Sequence, residues 1–220
     1  IARYQGLGLA RGDRVFLPFG NRLEFFAELL AIWRLGACAV PIDARLTAFE
    51  VTTLVAAATP RLAVVDDATD ATVVQALADA GVRTVATTDV GESGASAGLS
   101  RMDDDALILF TSGSTGAPKG VVHTHRSLRA RWIALRDQLG IAPFERSLCM
   151  LPTHFGHGLI CNCLFPWLSG QHLYITPPFR ADIIMRLGAL VDEHRITFMS
   201  SVPSVWRMAL KLSRRPPRGS

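Results

Sequence analysis

The residues between Thr111 and Lys119 are of the types that bind phosphate. Together they supply four side-chain hydroxyls, two turn glycines and one ammonium, from Thr111, Ser112, Gly113, Ser114, Thr115, Gly116 and Lys119. Glycines let backbone N–H groups approach an anion, hydroxyls donate to phosphate oxygens, and a lysine adds a compact positive charge. We therefore predict that this stretch holds phosphate.

The arrangement differs from the Walker phosphate loop, in which glycine precedes the lysine, Ser or Thr follows it, and a helix begins. Here Lys119 lies between Pro118 and Gly120, and the β-branched pair Val121 and Val122 indicates a second strand. An apolar strand precedes the stretch, so the alternative is a Gly/Ser-rich surface turn in a hairpin. Such turns have only about 2–5 residues, which disfavours that alternative.

A second stretch, LPTHFGHGL at positions 151–159, could contact a ligand. His154 and Phe155 follow the end of a predicted strand, and Gly156 and Gly158 flank His157. Aromatic side chains on a backbone with little bulk can line a pocket. The stretch is therefore a candidate wall for a bound molecule.

The same region offers zinc-type ligands, which supports an alternative hypothesis of a zinc-stabilised domain. His154, His157, Cys161 and Cys163 have the spacing H-x2-H-x3-C-x-C. However, Cys161 and Cys163 are two residues apart in a predicted apolar helix, so they lie on different faces, and free cysteines are commonly small buried hydrophobes. We predict no metal site here.

His123 and His125 alternate on the predicted strand that leaves the first stretch, and we interpret them as partly buried polar residues.

Composition gives general limits on function. The chain has 220 residues and 49% hydrophobic content, enough for a sizeable core in one or two compact units. Its net charge of +4 equals the charge of Lys211, Arg214, Arg215 and Arg218, so nothing indicates a nucleic-acid groove. The four cysteines lack regular spacing and no signal peptide is evident, which favours reduced thiols and a cytoplasmic location. No apolar run is long enough to span a membrane.

Strands and helices alternate along the chain. From Gly12, an apolar strand is followed by a helix with Asn21 as its predicted N-cap, and Thr47 caps a second helix that ends near Ala58. Alternation of this kind predicts an α/β fold with two doubly wound βα arrays, that is, mainly parallel sheets flanked by helices. The small residues of GESGASAGLS (91–100) indicate a linker. We therefore predict a first subdomain at 1–100 and a second at 101–220, the second carrying the phosphate loop (106–120) at the carboxyl end of a strand.

TSGSTGAPKG (111–120) resembles the signature loop of the adenylate-forming superfamily, which includes acyl-CoA synthetases, peptide-synthetase adenylation domains and luciferases. WRLGACAVPID (33–43) also resembles a segment of that family, although we interpret it as a helix end and a core strand. The resemblance implies that the chain corresponds to the family's N-terminal domain.

The resemblance implies ATP-dependent activation of a carboxylic acid to an acyl adenylate, with release of pyrophosphate. Mg²⁺ is the expected metal, and CoA or the pantetheine of an acyl-carrier protein is the expected acceptor. By the same likeness Lys119 and His154 would be catalytic, the residues from Thr111 to Lys119 would bind the ATP phosphates, and His154, Phe155, Gly156 and Gly158 would line the acyl pocket. Phe155 stands where several relatives have a second histidine, which leaves open which residue acts as the gate.

Later elements of the family are not found in the chain, including a Tyr-Gly-x-Thr-Glu segment with a metal-binding glutamate and a C-terminal domain with a catalytic lysine. We therefore expect the chain to be an N-terminal portion that is inactive alone. A nucleotide-binding module without catalysis is the other alternative. The carboxylic acid itself cannot be identified from these residues.

Overall fold

The computed structural model describes residues 1–89, 99–111, 118–178 and 180–213. Two compact units divide the chain, one comprising Ile1–Arg129 and the other beginning at Ala130. The elements that start in the first unit are α1 (Ala2–Gly6), β1 (Arg14–Leu17), α2 (Leu23–Arg34), β2 (Cys38–Pro41), α3 (Ala48–Ala58), β3 (Leu62–Val65), α4 (Ala71–Asp79), β4 (Arg83–Ala86), β5 (Asp105–Thr111), β6 (Lys119–Thr124) and α5 (His125–Leu139).

The remaining elements lie in the second unit. They are a 3₁₀ helix (Ala142–Phe144), β7 (Arg146–Cys149), a π-helix (His157–Leu164), α6 (Phe165–Leu168), β8 (His172–Ile175), α7 (Ala181–Met185), α8 (Leu187–Glu193), β9 (Phe198–Met199) and α9 (Pro203–Leu212). No helix within the described ranges combines the length and the apolar character that crossing a bilayer requires.

Six strands of the described first unit form one sheet in the order β4-β3-β1-β2-β5-β6. Neighbouring strands are parallel except β5 and β6, which pair antiparallel. Apart from Arg14, the residues of the central strands are apolar, and most are buried, as expected for a parallel sheet covered on both faces. α3 and α4 pack on one face, where Phe16, Val40, Ala63 and Ile108 meet Val51, Leu54, Val73 and Leu77.

The second unit has a smaller parallel sheet in the order β8-β7-β9, again counted over the described residues. Its core joins Leu148 and Met150 to residues of α7, α8 and α9 such as Ile184, Leu187, Val205 and Ala209. The predicted fold class, a mixed α/β structure with mainly parallel sheets flanked by helices, is confirmed.

Of two helix N-caps predicted from the sequence, one is correct and one is wrong. Thr47 caps α3 as predicted: its hydroxyl accepts from the Glu50 N–H at 3.3 Å, and the Glu50 carboxylate accepts from the Thr47 N–H at 2.8 Å. Asn21, by contrast, is not the N-cap of α2, because the helix starts at Leu23 with Arg22 in the N-cap position. Asn21 instead has a positive φ of 51°, a conformation that asparagine tolerates in turns.

The division between the two units does not coincide with the predicted boundary. Residue 100 falls between β4 and β5 of the same sheet, and the unit boundary comes later, after Arg129 in α5. The reason is that β5 pairs with β2 as well as with β6, which ties the phosphate-loop hairpin to the first sheet. Most of the predicted linker, residues 91–98, lies outside the described residues.

Candidate active site

β5 and β6 bring the two ends of the predicted phosphate loop together. Thr111, the last residue of β5, is paired with Lys119, the first residue of β6, and the Thr111 hydroxyl lies 3.4 Å from the Lys119 carbonyl oxygen. Because β5 is parallel to β2, Thr111 is at the carboxyl edge of the parallel strands, where α/β sheets bind ligands. Ser112, Gly113, Ser114, Thr115 and Gly116 lie outside the described residues.

Lys119 is exposed at this edge. Within the described ranges its ammonium makes no hydrogen bond and has no carboxylate within 4.0 Å. It is also one of only two lysines in the chain, the other being Lys211. Its charge is therefore available to an anion that approaches the loop.

Gly120 has a steric role that the sequence did not reveal. A Cβ at this position would lie 2.9 Å from Cγ2 of Ile108 and 3.3 Å from Cε1 of Phe110, both on the neighbouring strand. Contacts this short require the neighbours to move. The glycine after the lysine thus allows β6 to pack against the side chains of β5 immediately beside the loop.

Two arginines form ion pairs with the acidic residues at 103–105, where the chain leads into β5. Arg126 contacts the Asp103 carboxylate at 2.6 Å, and Arg11 pairs with Asp104. The Arg126 side chain lowers the pKa of Asp103, and backbone donation from Arg101 lowers the pKa of Asp104. The side chain of Asp104 is only 13% exposed, so this turn is partly buried.

A cavity of about 200 Å³ adjoins the exit of the loop in the first unit. Its lining includes Phe110, Pro118, Gly120 and Val122, with Arg14 also present. Arg14 donates to the Ala58 carbonyl oxygen at 2.9 Å, which ties β1 to the end of α3. The exit of the loop is thus bordered by open space on this face of the sheet.

The second predicted stretch follows β7 in the other unit. Pro152 and Thr153 are buried, His154 and Gly156 are half-buried, and Phe155 is 45% exposed. The Phe155 N–H donates to the Pro152 carbonyl oxygen at 3.1 Å, so the chain turns tightly here before the π-helix begins at His157. His154, Phe155 and Gly156 therefore belong to this turn, and Gly158 lies in the first turn of the π-helix that follows.

Gly158 is fixed by contact with backbone. A Cβ at this position would lie 2.4 Å from the Pro152 carbonyl oxygen and 2.9 Å from Leu151 Cβ. The motif contained this glycine, but the contact that requires it depends on how the turn closes. Only glycine allows the helix to approach the strand end so closely.

The helix in this region is a π-helix that continues into α6, where the sequence predicted a single apolar helix. π-helical turns are rare in proteins, and those that occur often lie at functional sites. In this one, His157 Nε2 lies 2.8 Å from the hydroxyl of Ser200, and the Asn162 amide nitrogen donates to the Ser200 carbonyl oxygen at 2.6 Å. Both contacts span some forty residues, and no local pattern predicted them.

The zinc hypothesis finds no support in the described residues, where no three His, Cys, Asp or Glu side chains converge to hold a metal. A hydrogen bond with Cys149 and burial raise the pKa of Cys163, and burial raises the pKa of Cys161. Zinc binds thiolates, so these environments disfavour it. His157 bonds to Ser200 instead.

The interpretation of His123 and His125 as neighbours on one strand face was wrong. His123 lies in β6, but β6 ends at Thr124 and His125 begins α5. The His125 ring packs edge-on against Trp33 with ring centroids 5.2 Å apart, and burial lowers its pKa. His125 is therefore part of the packing between α5 and α2.

Comparison with known proteins was consistent across sequence and structure. A family profile described as AMP-binding enzyme matches residues 2–219. The chain is 31% identical over 211 residues to the long-chain-fatty-acid–CoA ligase FadD13 of Mycobacterium tuberculosis, covering 90% of this chain and 41% of that protein. It is 30% identical over 198 residues to the malonate–CoA ligase of Arabidopsis thaliana, covering 84% and 32%.

Among solved structures, o-succinylbenzoate CoA synthetase (MenE) of Bacillus subtilis in complex with its acyl-adenylate intermediate matches with a TM-score of 0.84. The match covers 99% of this chain and 56% of that structure at 21% sequence identity, and it shows a common fold. The chain spans less than half the length of either ligase and about half of the synthetase.

Proposed function

The chain belongs to the AMP-binding enzyme family, and from this membership we propose that it is the N-terminal part of an enzyme that activates a carboxylic acid with ATP. The substrate carboxylate attacks the α-phosphorus, pyrophosphate leaves, and an acyl adenylate remains bound. A thiol then takes the acyl group to form a thioester. The ligase relatives support this reaction class in general, and their different acids leave the substrate of this chain open.

One observation carries the proposal for the first step. Thr111 and Lys119 are paired at the carboxyl edge of the sheet and enclose a segment rich in hydroxyls and glycines. In this proposal that segment, Thr111 to Lys119, holds the β- and γ-phosphates of ATP. Negative charge grows on these phosphates as pyrophosphate departs, so the loop stabilises the transition state electrostatically.

Lys119 would neutralise charge on the departing phosphates, since its ammonium has no acidic partner in the described part of the chain. His154 would contact the carboxylate or the nascent acyl phosphate. Phe155, Gly156 and Gly158 would line the acyl pocket beside it, since they lie in the same turn or at the start of the π-helix that follows. A half-exposed aromatic ring next to close-packed backbone suits an apolar acyl group.

The proposed reaction also uses Mg²⁺ and an acceptor thiol. Mg²⁺ is usually bound through one or two carboxylates together with substrate phosphates. The described residues include no cluster of three or more His, Cys, Asp or Glu side chains that could hold the ion. The acceptor would be CoA or the pantetheine of an acyl-carrier protein.

Acid-dependent exchange of labelled pyrophosphate into ATP by the complete enzyme tests this function, because exchange requires reversible formation of an acyl adenylate. We expect exchange with at least one carboxylic acid and none without acid. ATP binding with no exchange for any acid would instead identify a nucleotide-binding module without catalysis.

A further inference from the structure

Asn162 is a fully buried polar side chain in the π-helix, with 0% of its surface exposed. Its amide nitrogen donates to the Ser200 carbonyl oxygen at 2.6 Å. Its side-chain oxygen, Oδ1, is buried and has no hydrogen-bond partner in the part of the chain that the structure describes. Buried polar groups are almost always paired, so an unpaired one indicates a missing partner.

The orientation of the Asn162 amide follows from its contact with Ser200. Reversing the amide would place its oxygen against the carbonyl oxygen of Ser200, and two acceptors cannot form a hydrogen bond. The unpaired atom is therefore an acceptor, and the missing partner is a hydrogen-bond donor.

Ser200 connects Asn162 to a second side chain of the same helix. The Ser200 carbonyl oxygen accepts from Asn162, while its hydroxyl lies 2.8 Å from Nε2 of His157. The hydroxyl oxygen of Ser201 is also buried without a partner among the described residues. Hydrogen-bonding groups from the end of β9 thus meet those of the π-helix.

The chemistry of these groups limits what could complete the cluster. A methyl group or an ionised carboxylate has no hydrogen to donate to Asn162 Oδ1, and an ammonium would bring an unpaired charge against the buried amide of Asn162. A hydroxyl can donate to Asn162 and accept from a neighbouring serine or histidine. A neutral hydroxyl is therefore the best complement.

The position of the cluster connects it to the proposed acyl pocket. The π-helix begins directly after Phe155 and Gly156, and His157 and Ser200 are only half-buried, so the cluster reaches the surface at these two residues. We propose that His157, Asn162 and Ser200 form a polar subsite for a hydroxyl group on the acid substrate, remote from its carboxylate. This inference rests on the proposed function and narrows its substrate to hydroxylated acids.

Matched acids test the subsite in the complete enzyme. Three pairs differ only by hydroxyl in place of methyl: 4-hydroxybenzoate and 4-methylbenzoate, 6-hydroxyhexanoate and heptanoate, and 16-hydroxyhexadecanoate and heptadecanoate. We expect the hydroxylated member of at least one pair to have a kcat/KM for acid-dependent pyrophosphate release about tenfold higher or more. Asn162→Leu should reduce this preference severalfold.

Ser200→Ala provides a second variant, because it removes one half-buried oxygen and leaves the carbonyl that holds Asn162. It should also weaken the preference, whereas the matched variant at the exposed Ser204, Ser204→Ala, should keep it. Equal use of both members of every pair, or a preference unchanged in Asn162→Leu and Ser200→Ala, would overturn the subsite and leave the proposed function intact. Absence of turnover with every acid would overturn the proposed function itself.

Discussion

Gly158 illustrates how one residue position is fixed by its neighbours. The space where its side chain would begin is occupied by the Pro152 carbonyl oxygen, 2.4 Å from an ideal Cβ. Gly158→Ala should lower the free energy of unfolding by about 1–3 kcal/mol, because backbone must move to admit the methyl group. Chemical denaturation measures the change, and Gly6→Ala is the control, since a Cβ at Gly6 meets no atom within 4 Å. Equal effects of the two substitutions would contradict the packing described for the turn.

His125 leads to a prediction about pH. Burial lowers its pKa below the ordinary value of 6.5, so the folded protein binds a proton here less readily than the unfolded chain. The neutral ring therefore contributes stability that is fully present above pH 6.5 and is lost as pH falls through the folded-state pKa. His125→Phe keeps an aromatic ring against Trp33 and should lose less stability than the wild type between about pH 7 and pH 5. Identical pH profiles in denaturation experiments would show that this ring is not protected.

A local motif identified residues whose proposed contact with phosphate stays a prediction. Thr111 and Lys119 were identified from residue type and spacing, and the structure pairs them across the hairpin. Asn162 could not be found in this way, because its partner Ser200 lies 38 residues away in sequence. The steric need for glycine at 120 and 158 likewise comes from neighbours on other elements or from the closure of a turn.

At the scale of elements, the N-cap of α3 was predicted correctly, whereas the N-cap of α2 and the π-helix were not. The capping box of α3 was visible in the sequence as Thr47 followed three residues later by Glu50. The π-helix was not, since its apolar residues fit an ordinary helical pattern and its side-chain contacts are with Ser200, which is distant in sequence. The end of β6 at Thr124 was also missed. The alternation of His123 and His125 is typical of a strand, whereas His125 is the first residue of α5.

The α3 cap can be tested directly. Thr47→Ala removes the hydroxyl that accepts from the Glu50 N–H and should lower the free energy of unfolding by about 1 kcal/mol. Thr52 is an exposed threonine within the same helix, and its hydroxyl bonds only to the Ala48 carbonyl oxygen. Thr52→Ala should be neutral or slightly stabilising, because alanine has the higher helix propensity. Equal denaturation midpoints for the two variants would show that the Thr47 cap does not stabilise the protein.

At the scale of the whole molecule, the alternation of strands and helices was enough to predict the α/β class. It was not enough to assign each strand to a sheet. β5 follows a long connection, yet it pairs with β2, so the phosphate-loop hairpin belongs to the first unit. Linker composition marks where a chain can be flexible, whereas strand pairing over long sequence separation decides which segments fold together.

The length of the chain relative to its relatives leads to a further prediction. Residues 1–220 cover 41% of FadD13, and the family's later catalytic elements are not found among them. We expect the isolated chain to show no acid-dependent pyrophosphate exchange, because it spans less than half the length of its ligase relatives. The comparison is with the complete enzyme at equal concentration. Exchange by residues 1–220 alone would mean that the missing elements are unnecessary.

The most direct test of the central claim is acid-dependent pyrophosphate exchange by the complete enzyme with and without the loop lysine. Lys119→Ala should reduce the exchange rate about a hundredfold or more, because it removes a positive charge from the phosphates that leave. The chain's other lysine supplies a matched control: Lys211→Ala, in α9, should exchange at the wild-type rate. Exchange that continues undiminished in Lys119→Ala would contradict the assignment of this loop to ATP.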